Sequence, residues 1–97
     1  MFIKDPNKTG INYNLFQNYP NPFNPTTTIT YELPTANLVV LKVYDLLGRE
    51  VAFLINRYEN AGSHSVRFNG NNLASGVYLY RIKAGDYSAS CKMILLK

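Results

Sequence analysis

The chain has 97 residues, 46% of them hydrophobic, with ten Lys and Arg against six Asp and Glu and a formal net charge of +4. That length supports one domain with a modest core and no deep cleft between lobes, the lone Cys91 excludes an internal disulfide or a cysteine-built zinc site, and no apolar stretch approaches the ~20 residues of a membrane span. The basic residues are scattered from Lys4 to Lys97 without a run of three, which argues against nucleic-acid binding.

Composition favours strands: Val, Ile, Thr, Tyr and Phe supply 31 residues, whereas Ala supplies 6 and Glu 3. Twelve Asn and six Gly provide turn chemistry. Residues 1–14, MFIKDPNKTGINYN, follow neither a helical nor a strand period and read as a linker or flexible tail, which leaves 15–97 as the folded domain. The start also lacks the charged-then-apolar pattern of a signal peptide. Next comes LFQNYPNPFNP (15–25), where Pro20, Pro22 and Pro25 fix φ and remove backbone donors, so the stretch is neither helix nor inner strand. A stiff linker is one reading. The other, which we expect, is an extended, polyproline-like clasp made of Phe16, Tyr19, Pro20, Pro22, Phe23 and Pro25, its rings docked on the domain downstream.

TTTITYELP alternates, with Thr27, Ile29, Tyr31 and Leu33 on one face and Thr28, Thr30 and Glu32 on the other, a half-buried strand closed by Pro34. In LVVLKVYD, Val39, Leu41 and Val43 share a face; DLLGRE turns the chain at Gly48, and EVAFLIN returns with Val51, Phe53 and Ile55 expected inward. YENAG reads as a polar loop and SHSVRFNG as a short strand with His64, Val66 and Phe68 on one side. NGNNLASG is turn chemistry around one apolar anchor, Leu73, and GVYLYRIKAGDYSASCKMILLK is a closing hairpin turned at Gly85, its second strand expected to reach Lys97. Six or seven short strands and no helical period over ten residues predict an all-β, antiparallel sandwich.

Chemistry is sparse. His64 is the only histidine and sits in a strand beside Val66, where a structural hydrogen bond is the simpler role. The six carboxylates fall at strand ends and turns; Asp45 and Glu50 flank Gly48, where a weak calcium site or a pairing with Arg49 would both fit, the pairing being simpler. Tyr78 and Tyr80 share a face with Ile82, which favours core packing over an exposed sugar-binding platform. No catalysis, metal or cofactor is expected. The terminal MILLK is apolar on both faces, Met93 and Leu95 against Ile94 and Leu96, so either the proline-rich clasp or a partner covers the outer one.

LFQNYPNPFNPTTTITYELP, VVLKVYDLLGREVAFLI, AGSHSVRFNGNNLASGVYLYRIKAG and KMILLK, in this order and spacing, resemble the C-terminal sorting domain of proteins exported by the type IX secretion system. The resemblance runs from about Leu15 to Lys97 and implies an immunoglobulin-like β-sandwich that serves as an export address at the end of larger secreted proteins of Gram-negative bacteria. It further implies passage through the periplasm to the cell surface or beyond, recognition by an outer-membrane translocon without membrane insertion, and cleavage by a sortase-like peptidase that can join the cargo to surface lipopolysaccharide. By this resemblance the turn glycines fall on Gly48, Gly62, Gly76 and Gly85, the terminal signal on Lys92, Met93, Ile94, Leu95, Leu96 and Lys97, and processing before Leu15. The cargo that such a domain serves is missing from this chain, so an excised domain or partial product is expected. A surface-binding or assembly module, carbohydrate-binding or like a flagellar hook-cap domain, is the alternative.

Overall fold

The structure, a computed structural model, describes residues 12–97. Seven strands are present: β1 (Asn14–Leu15), β2 (Thr26–Leu33), β3 (Asn37–Tyr44), β4 (Glu50–Glu59), β5 (Gly62–Asn69), β6 (Gly76–Ala84) and β7 (Tyr87–Leu95). They form two antiparallel sheets, β1-β2-β5 and β4-β3-β6-β7, packed as a sandwich, with no helix among the described residues. The expected all-β sandwich is what the chain forms. Of the proposed 1–14 tail, residues 1–11 lie outside the described part. The boundary expected at Leu15 falls within β1, and Tyr13 already stacks on Tyr87, ring centroids 4.8 Å apart.

The alternation read in β2 and β3 places Thr27, Ile29, Tyr31 and Leu33 opposite Val39, Leu41 and Val43, all buried. From β6 and β7, Tyr80, Ile82, Met93 and Leu95 complete the core without solvent exposure. Tyr78 is buried as well, so Tyr78 and Tyr80 form no exposed platform on this strand.

One expectation fails on strand register. Phe53 does not point inward: it is 49% exposed, with the Lys42 ammonium 4.8 Å from its ring centroid. The cause is a pair of β-bulges, for Leu41 pairs Ile55 while Lys42 pairs Phe53, and Val43 pairs Ala52 while Tyr44 pairs Glu50. Each extra residue on β4 reverses the inward parity of the residues beyond it, so Ile55 and Ala52 face the core and Phe53 does not. The polar YENAG loop also shrinks, because β4 continues to Glu59. Glu59 is buried where the chain crosses between sheets, accepting hydrogen bonds from the Tyr31 hydroxyl and, at 3.1 Å, from Arg57 Nε. His64 stacks on Tyr31 and bonds the Asn60 carbonyl at 2.7 Å, a structural role. The phenol of Tyr31 is pushed well above its usual range by burial and then by Glu59, so it stays a donor.

The hairpin turn of β6–β7 needs a glycine for two reasons. Gly85 has φ +59°, and a Cβ there would lie 2.8 Å from Asn37 Nδ2, which donates to the Tyr13 hydroxyl at 3.0 Å. Gly48, at φ +84°, has nothing within 4 Å. Both substitutions to alanine incur the left-handed penalty of about 1–2 kcal/mol. Gly85→Ala is expected to lose more than Gly48→Ala in thermal denaturation, and equal losses would show that the Asn37 contact is immaterial.

Candidate functional site

In the four-stranded sheet β7 is an edge, and an exposed edge invites pairing with other chains. The segment between β1 and β2 closes it. Prolines exclude that segment from a regular ladder, and the peptide bonds before Pro20, Pro22 and Pro25 are cis. It nevertheless bonds in two directions. Toward β2, Phe16 N–H donates to the Thr30 carbonyl at 3.0 Å, and Tyr19 and Thr28 exchange backbone bonds of 3.0 and 2.9 Å. Toward β7, Phe23 N–H donates to the Ile94 carbonyl at 2.9 Å and the Phe23 carbonyl accepts from Leu96 N–H at 3.0 Å, a parallel bridge. Two side chains extend the seal: Asn21 Oδ1 accepts from Ile94 N–H at 2.9 Å, and Gln17 Nε2 donates to the Lys92 carbonyl at 2.7 Å. Residues 15–25 are therefore a strap that joins one sheet to the edge of the other.

Its anchors differ from those expected. Phe23 is 2% exposed and meets Phe68 edge-on with ring centroids 6.1 Å apart, but Tyr19 is 82% exposed and Phe16 also faces solvent. Tyr19 is held by its backbone, so its ring is free to turn outward. The second anchor is polar. Asn18 is buried; its N–H donates to the Tyr80 hydroxyl at 2.8 Å, which in turn donates to the Phe16 carbonyl at 2.6 Å. Asn18 Nδ2 reaches Thr27 Oγ1 at 2.9 Å, and Thr27 donates to the Pro20 carbonyl at 2.8 Å. Every buried polar atom among the described side chains has a partner, so the network is complete and not a strain reservoir. The Tyr80 phenol is held far above its ordinary range by burial and then by neighbouring Cys91.

The end of β7 is half buried and half open. Met93 and Leu95 are core residues, Ile94 is partly covered, and Leu96 is 53% exposed. The expected strand to Lys97 stops at Leu95, because Leu96 turns its N–H to the strap and Lys97 N–H donates to Ser75 Oγ at 2.9 Å. Lys97 Nζ meets the Asn71 carbonyl. No cluster of potential metal ligands occurs among the described residues.

A family model described as a secretion system C-terminal sorting domain matches residues 17–96. The chain belongs to that family. Among solved structures it is similar to one reported as PorZ, an essential bacterial surface component of the type-IX secretion system of Porphyromonas gingivalis, with 22% identity and a TM-score of 0.59. The likeness covers 86% of this chain and 11% of the PorZ chain, and it shows a shared fold. No curated protein matches. The chain is thus a sorting domain of a secretion system, as the resemblance of its motifs implied.

Within the sorting domain the structure brings Phe23 and residues 92–97 into one site, while Phe16, Tyr19, Pro20 and Pro22 lie along its exposed rim and half-buried Pro25 gives its carbonyl to Gly70 N–H at 2.8 Å. The turn glycines Gly48, Gly62, Gly76 and Gly85 all have positive φ and sit in four separate turns or strand starts. Four contributors escaped the sequence reading: Gln17, Asn18, Asn21 and Gly70. Asn recurs at 18, 21 and 24, a three-residue repeat that was legible as turn chemistry but not as side chains replacing a neighbouring strand. Gly70 is buried, and a Cβ there would lie 3.0 Å from Leu95 Cδ2 and 3.4 Å from Phe23 Cε2. Its absent side chain gives Phe23 and Leu95 their seat.

Proposed function

We propose that this sorting domain is the export address of a cargo joined on its N-terminal side. In this reading an outer-membrane translocon recognises the domain in the periplasm through Lys92–Lys97. A sortase-like peptidase then cuts the chain before Leu15, with the cargo bound for the surface or the medium. The observation that carries the reading is the state of the terminal strand. Its core face is buried and its edge is closed by the strap, so a receptor meets Ile94, Leu96 and Lys97 as side chains on a rigid support and not as an open ladder. The strap, anchored by Phe23 and Asn18 and bonded to β7 through Gln17 and Asn21, keeps that end in one conformation, and preorganised signals bind with less ordering entropy lost.

Deleting Met93–Lys97 is a poor test, because Met93 and Leu95 belong to the core and their loss unfolds the domain. Substituting Leu96→Asp together with Lys97→Glu changes exposed groups. With a fluorescent cargo fused upstream in a bacterium that has the type IX apparatus, this variant is expected to keep the wild-type circular dichroism and leave the cargo in the periplasm. Surface display equal to wild type would overturn the assignment of the signal to these residues.

A further inference from the structure

The outer face of the sheet β4-β3-β6-β7, remote in role from the strap, carries a second feature. A groove of about 480 Å³ is lined by Tyr44, Asp45, Leu46, Leu79, Arg81 and Lys83, among others. A smaller one of about 370 Å³ shares Lys83 and continues over Leu38 and Val40 toward the Gly85 turn. Together they make a trough along β3, whose eight residues span about 25 Å at strand rise.

The one carboxylate in this lining, Asp45, is taken by Arg49. The Lys42 ammonium pairs with Glu50 at 3.1 Å and Arg49 with Asp45 at 2.8 Å, but among the described residues no carboxylate lies within ion-pair distance of Arg81 or Lys83. Arg81 is moreover the direct cross-strand partner of Lys42, a like-charge placement that a sheet does not favour on its own account. At one end of the trough stands the β3–β4 turn, braced by Asp45. Asp45 Oδ1 accepts from Leu47 N–H and Arg49 N–H at 2.9 and 3.0 Å, Asp45 Oδ2 accepts from Arg49 Nε at 2.8 Å, and backbone bonds of 2.9 and 3.0 Å close the loop. The Asp45 carboxyl is accordingly held below its usual range, first by the Arg49 backbone bond. What this rigid turn displays is Leu46 and Leu47, 66% and 79% exposed. Apolar side chains presented on a fixed support beside unpaired cations have the character of a preorganised interaction surface.

We propose that this trough is a docking site for an extended acidic segment of a partner protein, its carboxylates on Arg81 and Lys83 and its apolar side chains on Tyr44, Leu46 and Leu79. Charge complementarity selects that occupant. An anionic bilayer fits less well, because its plane meets Asp45 and Glu50 together with the leucine pair, whereas a narrow segment sets its carboxylates on Arg81 and Lys83 and only apolar groups beside Asp45.

The test uses the 97-residue chain, a fluorescein-labelled peptide of alternating glutamate and leucine, its lysine–leucine counterpart, and vesicles of phosphatidylglycerol, read by fluorescence anisotropy and co-sedimentation. The acidic peptide is expected to bind and to weaken with salt. Arg81→Glu with Lys83→Glu is expected to lower its affinity at least about tenfold, Leu46→Ser with Leu47→Ser to lower it as well, and Arg67→Glu on the opposite sheet to leave it unchanged. If the charge reversals disturb the circular dichroism, Arg81→Gln with Lys83→Gln gives the same reading. Absence of acidic-peptide binding, equal binding of the lysine peptide, or binding confined to vesicles would overturn the proposal.

Discussion

Phe23→Ala is expected to destabilise the domain by about 3–5 kcal/mol, the usual range for removing a buried phenylalanine. The ring is 2% exposed, packs edge-on against Phe68, and rests over the Cβ-free surface of Gly70 beside Leu95. In a domain of this size each kcal/mol lowers the melting temperature by about 4–8 °C, so the loss is easily read by calorimetry. The same variant is expected to speed amide exchange at Ile94 and Leu96, whose N–H groups are held by Asn21 Oδ1 and the Phe23 carbonyl. A destabilised variant whose Ile94 and Leu96 amides stay as protected as the rest of β7 would show that the ring supports the core alone and not the strap.

The second large effect is expected at Tyr80. Replacing it with phenylalanine keeps the ring and removes one oxygen, which leaves Asn18 N–H without its acceptor and the Phe16 carbonyl without its donor. A buried group without a partner costs about 1–3 kcal/mol, so two in one site place Tyr80→Phe well above an ordinary hydroxyl deletion. Tyr78→Phe is the internal comparison, since its hydroxyl makes a single bond, to the Ala74 carbonyl at 2.6 Å. Denaturant melts giving equal losses for the two would remove the claim that the polar network fastens the strap. The pH dependence has a definite sign. Burial and then Cys91 raise the Tyr80 phenol from its ordinary 10.0, so its contribution is complete below that value and is lost only as pH rises above it toward the folded-state value.

Much of the sandwich was legible because period-two alternation survives in single strands. Ile29, Tyr31 and Leu33, then Val39, Leu41 and Val43, needed only the rule that successive strand residues face opposite ways. β4 was misread for the same reason: EVAFLIN alternates plausibly in either parity, and the bulges that decide it arise from pairing with β3, which no window of β4 contains. The two-faced character of MILLK was also readable, with Met93 and Leu95 inside and Leu96 outside. Its cover was not. A clasp lying on the face would have buried the rings of Phe16 and Tyr19, whereas the strap seals the edge through backbone groups and through Gln17 and Asn21. Polar side chains that stand in for a missing strand carry no hydrophobic period, so only the Asn repeat hinted at them.

The strap also bears on the lifetime of the folded state. Its bonds to β7 join residues 75 and 73 positions apart in Gln17–Lys92 and Asn21–Ile94. Contacts of such separation carry the greatest closure entropy, and these need both sheets already assembled before there is an edge to seal. They are expected to form late on the folding route, and φ-values near zero for Gln17→Ala and Asn21→Ala would show it. Interactions made after the transition state leave the rate of folding nearly untouched and instead deepen the native side of the barrier. The proline-rich strap is thus expected to act as a latch that sets how long the terminal strand keeps its shape once made, a kinetic property separate from how fast that shape is reached.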